Sequence, residues 1–134
     1  MKLRLAQIAH ARSGDKADVA DIGLFAWEPL GYAVLATYVT TKVMQQHFAH
    51  LWPEAPLEAD SLPRTLRVER YDLPRLLALK FVLRGVLNGG AASSLRSDNL
   101  GKTIGAQLLR LEIDVPEEEA LGVLRATEKI LLEF

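Results

Sequence analysis

Five consecutive residues near the N-terminus, Arg12-Ser13-Gly14-Asp15-Lys16, set a cation at each end of a hydroxyl, a glycine and a carboxylate. Successive backbone N–H groups in such a turn form an anion-binding concavity. Arg12 and Lys16 add charge for a phosphate or carboxylate. The plainer reading is a charged surface loop whose turn Asp15 and Lys16 stabilise. A second run, Asn88-Gly89-Gly90-Ala91-Ala92-Ser93-Ser94-Leu95-Arg96-Ser97-Asp98, is rich in small residues. Small residues let backbone approach a ligand closely, and Ser93, Ser94 and Arg96 are then placed to hydrogen-bond an oxyanion. The plainer reading here is a helix C-cap followed by a tightly packed connection.

Other constellations carry less. Gly101-Lys102-Thr103 matches the end of a nucleotide-binding P-loop, but that motif needs a glycine five positions before Gly101, where Arg96 stands. The motif is rejected, and Lys102 is kept as a further cation for a shared anion site. His47 and His50 share a face at helical spacing, yet no H-E-x-x-H pattern supplies a metal site, and no metal is expected. Three histidines among many serines give no Ser-His-Asp triad that spacing alone could single out. Lys80 borders the apolar stripe of an expected helix, beside Arg84, where a lysine either snorkels to water or pairs with an acid.

The elements that position these residues belong to a chain of 134 residues and 14.8 kDa, the length of about one domain. The hydrophobic fraction of 49% is enough for a core. A net charge of −1 argues against nucleic-acid binding and against a polybasic membrane surface. The absence of cysteine excludes disulfides, iron–sulfur clusters, thiolate zinc sites and cysteine nucleophiles. Arg4, Gln7 and His10 interrupt the N-terminal apolar residues, so no signal peptide is read. No apolar run reaches the roughly 18 residues of a membrane span, and a cytoplasmic location is expected.

Residues 3–8 alternate and predict a strand. Residues 11–18 predict a loop, and 19–27 a buried strand that pairs with the first as a long-looped hairpin. The segment 32–39 is open between helix and strand. Thr40 or Thr41 caps a helix running to about Leu51, followed by a proline-marked loop over 52–64. A third strand spans 65–71. Asp72 and Pro74 open a helix through Leu87, ended by Asn88-Gly89-Gly90. Asp98 caps a short helix through Gln107, and 109–115 alternate as a fourth strand. Pro116 begins a last helix whose first turn holds Glu117, Glu118 and Glu119, where the helix dipole favours negative charge. The class is therefore α+β, one sheet with helices packed on it. The chain reads as a single domain, 1–134, with 116–134 a helical extension.

Read in order, Ala11 to Lys16, Asp21-Ile22-Gly23, Arg70 to Pro74, Ala78 to Leu83, and the glycine–serine run into Gly101-Lys102 resemble a known family. It is the ferredoxin-fold domain at the C-terminus of the acyclic terpene utilisation protein A (AtuA) family, which also occurs as a free-standing small protein. The resemblance covers about residues 3–115. It implies a ferredoxin-like two-layer sandwich, a roughly four-stranded, mainly antiparallel sheet with helices on one face. The two early strands before the first clear helix leave the strand order open against a βαββαβ pattern. The family usually has glycine at Ala17 and asparagine at Asp21 and Lys80. The last two departures replace neutral amides by opposite charges, so Asp21 and Lys80 are expected to face each other as a partly buried ion pair.

The resemblance further implies breakdown of acyclic terpenes and related branched compounds through CoA thioesters, and a domain that follows a larger N-terminal one. The preferred expectation is a homo-oligomeric small subunit, docking a large AtuA-type partner. Its polar patch, where Arg12, Ser13, Gly14, Asp15 and Lys16 meet Ser93, Ser94, Arg96 and Lys102, holds a carboxylate or CoA phosphate or serves as the contact surface. The rival is a free-standing enzyme acting on an acyl-CoA or small carboxylate, with Asp15 or Lys16 as the acid–base group. Neither reading calls for a cofactor.

Overall fold

The computed structural model describes residues 1–16, 19–51, 67–85 and 100–133, with backbone alone at 100–102. Its strands are β1 (Lys2–Arg4), β2 (Ala9–Lys16), β3 (Val19–Ala26), β4 (Val68–Leu73), β5 (Ala78–Arg84) and β6 (Glu112–Asp114). Its helices are α1 (Pro29–Tyr38), α2 (Thr41–His47), α3 (Leu100–Leu108) and α4 (Glu117–Leu132). The main sheet has the order β2-β3-β5-β4, antiparallel throughout, and β1 pairs with β6 in a separate two-stranded ribbon.

The strand order resolves the βαββαβ question. In that arrangement the first and third strands are central and the last lies beside the first. Here β3-α1-β4-β5-α3 supplies everything but the last strand. Its place beside β3 is filled by β2, which comes earlier in the chain and arrives by a hairpin rather than a crossover from α3. After α3 the chain leaves the main sheet and forms β6 against β1.

One face of the sheet is the core. Ala20, Ile22, Leu24 and Ala26 of β3 and Leu79, Phe81 and Leu83 of β5 point to the helix layer, all nearly inaccessible to water. Val34, Leu35, Met44, Phe48, Ile104 and Leu108 meet them from the helices. α3 packs on β2 and β3, and α2 packs on β4. Thr40 Oγ1 accepts the Val43 N–H, capping α2 as expected. α1 has an unusual cap: the buried Glu28 carboxylate accepts the N–H groups of Leu30 and Gly31, with Pro29 in the first turn. α4 also belongs to the core rather than lying appended to it. Ala120 and Val123 are buried within the main cluster, and Tyr38 of α1 donates to Glu119 at 3.3 Å.

Several expectations are corrected. Residues 12–16 are not a loop but the second half of β2, and Lys16 pairs directly with Val19, so the β2–β3 hairpin is short. The first strand stops at Arg4 and gives way to a 3-10 turn at Leu5–Gln7. Pro74 opens only a 3-10 turn, Pro74–Leu76, and Ala78–Arg84 is a strand, so no helix runs from 74 to 87. Leu77, in the left-handed region at φ 53°, closes the β4–β5 hairpin, and its carbonyl accepts the Ala26 N–H. The expected strand over 109–115 shrinks to three residues and joins the ribbon. Among the described residues no helix is long and apolar enough to cross a membrane.

Candidate functional site

Alternation along the strands sends His10, Arg12, Gly14 and Lys16 of β2 to the face of the sheet opposite the helices. They are joined there by Val19, Asp21, Gly23 and Phe25 of β3, Ala78, Lys80, Val82 and Arg84 of β5, and Glu69, Tyr71 and Leu73 of β4. Among the described residues no helix covers this face.

A groove of about 380 Å³ crosses it, lined by Arg12, Gly14, Asp21, Gly23, Phe25, Leu73, Leu76, Ala78 and Lys80, with Ser13 and Leu79 contributing. Its apolar wall is built in register: Ala78 stands opposite both Phe25 and Leu73. Leu73 and Leu76 remain 38% and 64% exposed, apolar surface that water contacts in the free protein. The Phe25 ring folds back over Gly23, where a β-carbon would come within 2.8 Å of it; glycine is what permits that rotamer. His10 stacks on Phe25 at 5.2 Å and 16°, and on Trp27 at 4.5 Å. Burial against these rings lowers the His10 pKa below 6.5, so its imidazole is neutral at pH 7.

The charged end holds Arg12, Asp21 and Lys80. Lys80 Nζ lies 3.9 Å from Asp21 Oδ2, with both side chains 49% exposed. The pair is thus more open to water than the partly buried pair expected, and a surface pair at this distance adds little stability. Beside it, Glu69 accepts from Arg84 Nε at 2.8 Å and from Tyr71 Oη at 2.6 Å. These hydrogen bonds, that from Arg84 first, hold the Glu69 carboxyl below its usual range, and the Glu69 carboxylate raises the Tyr71 phenol. Among the described residues Arg12 makes no ion pair.

The expected cluster at 12–16 is therefore split by the two-residue period of a strand. Arg12, Gly14 and Lys16 face the groove side. Ser13 and Asp15 face the helices, and the Ser13 hydroxyl accepts the Gly105 N–H of α3 at 2.9 Å. Ser13 is a packing contact to a helix. Asp15, on the face away from the groove, and Lys16, at the far end of β2, do not line the groove. Ser93, Ser94 and Arg96 lie outside the described residues, as does the side chain of Lys102. His47 reaches the Gln107 carbonyl through Nε2 at 2.9 Å and packs edge-on to Phe48. Among the described residues no group of three His, Cys, Asp or Glu side chains is placed to hold a metal. The groove's apolar wall, Phe25, Leu73, Leu76 and Ala78, was not anticipated from the sequence. The alternation of Lys80, Val82 and Arg84 with Leu79, Phe81 and Leu83 is the signal that could have exposed it.

The family model of the AtuA ferredoxin-like domain matches residues 3–114, most of the chain and all of the main sheet. The chain belongs to this family. Within the AtuA ferredoxin-like domain, α4 lies beyond the matched segment although it completes the core. Comparison with curated proteins and with solved structures returned no match.

Proposed function

We propose that this AtuA ferredoxin-like domain is an accessory, small-subunit module of an AtuA-type assembly, holding an acyl ligand on the open face of its sheet. The observation that carries this reading is the groove between Phe25 and the leucines of the β4–β5 hairpin, with an apolar wall and a charged end at Arg12, Asp21 and Lys80. An amphipathic acid derivative matches that polarity, in line with the branched acyl compounds of acyclic terpene breakdown in the cytoplasm. Exposed Leu131 and Leu132 at the end of α4 offer apolar surface to a large subunit or a second copy. The free-standing enzyme reading is weaker, because neither Asp15 nor Lys16 lines the groove.

The test is affinity purification of the tagged chain from its native cell, with and without Leu131→Asp/Leu132→Asp, followed by mass spectrometry. A stoichiometric large subunit lost in the double variant supports the module. A chain that purifies alone and turns over an acyl-CoA supports the enzyme.

A further inference from the structure

We infer that the open-face groove takes a monocarboxylate with an apolar body, in preference to the coenzyme A thioester of the same acid. The inference rests on the reading of the groove as an acyl site and adds which end group it recognises. Charge decides it. Of the two cations among the described residues that line the groove, Lys80 is set against Asp21 at 3.9 Å. His10, behind the aromatic wall, is kept neutral by burial. Arg12 is left as the uncompensated charge among the described lining residues. A guanidinium presents a planar fork that one carboxylate satisfies with two hydrogen bonds. Coenzyme A carries a diphosphate and a ribose phosphate, several negative charges that one arginine does not balance.

Shape agrees with charge. The groove volume of about 380 Å³ lies at the small end of the range for small-molecule sites. Its aromatic wall is fixed from behind, Phe25 by His10 and His10 by Trp27, so little ordering is needed when an apolar chain lies against it. On the opposite wall Leu73 and Leu76 gain by being covered.

The experiment titrates the full chain with octanoate, a methyl-branched isomer, octanamide, octanoyl-CoA and coenzyme A, following backbone amide shifts. Expected are saturable shifts at Gly23, Phe25 and Ala78 with both acids, and binding of octanamide weaker by about tenfold or more. Arg12→Gln lowers the affinity for octanoate by a similar factor and leaves that for octanamide unchanged. Leu76→Asn, at an exposed position, weakens acid and amide alike. Octanoyl-CoA or coenzyme A binding these residues more tightly than octanoate overturns the monocarboxylate assignment while leaving an acyl site on this face. Octanoate and octanamide binding equally well does the same. If no probe shifts these residues, the acyl site itself falls.

Discussion

His10 sits at the centre of the aromatic stack, and its titration reports on that environment. Its folded pKa lies below the unfolded value of 6.5, so the unfolded chain binds the proton more readily. The neutral imidazole's contribution is therefore present above pH 6.5 and is lost as pH falls through the folded pKa. Urea melts between pH 7 and 5 should show declining stability, and His10→Gln should flatten that slope. An unchanged slope would show that another group sets it. Asp21 and Lys80 call for the opposite expectation. Their charges are half exposed and 3.9 Å apart, so Asp21→Asn should alter stability by no more than about 1 kcal/mol. A larger loss in chemical denaturation would mean that the pair orders the groove rather than merely bordering it.

At the level of elements, the contact between β2 and α3 is the tightest test. A β-carbon at Gly105 would stand 3.0 Å from Ser13 Oγ and 3.4 Å from Ser13 Cβ. Gly105→Val should destabilise by about 1–3 kcal/mol through overpacking, and Ser13→Ala should recover part of that loss in a double-mutant cycle. Additive losses would place the strain elsewhere. The same strand shows what the sequence could reveal. β3 was legible because its residues are apolar on a face that must be buried, and α2 because Thr40 stands at its cap. β2 was not: its second half is polar on the open face, and on the other face it meets a helix through a serine. β5 was misread for a different reason. Leu76, Leu79, Leu83 and Val86 fit a helical stripe as readily as Leu79, Phe81 and Leu83 fit a strand. The left-handed turn at Leu77, which leaves no mark in composition, decides between them. The groove was only half visible for the same cause. Arg12 stands out in any reading, whereas the apolar wall requires β5 to be a strand and the 3-10 turn to present Leu76.

The molecule as a whole depends on α4, although the family match ends before it. Ala120 and Val123 are buried, and Thr127 is covered with them. A chain ending at Val115 should lose on the order of a few kcal/mol from exposing this surface. Calorimetry should then show a lower and broader transition. Retention of the full-length midpoint would make α4 dispensable to folding and reserve it for a partner. The α+β class of the domain followed from its pattern, but its strand count and topology did not. Periodicity identifies strands without saying which edge each one joins.

That topology has a kinetic corollary. Since β2 pairs with β3, its neighbour in sequence, and β4 with β5, each half of the main sheet is a neighbour-to-neighbour ribbon whose closure involves short stretches of chain. Assembly then reduces to one distant encounter, β3 meeting β5 under the helices. The clasp of β1 on β6, with the Met1 amine on Asp114 and on the Val115 carbonyl, links parts of the chain more than a hundred residues apart through three-residue strands. It should zip last and open first, so amide protons there should exchange with solvent well before those of β3 and β5.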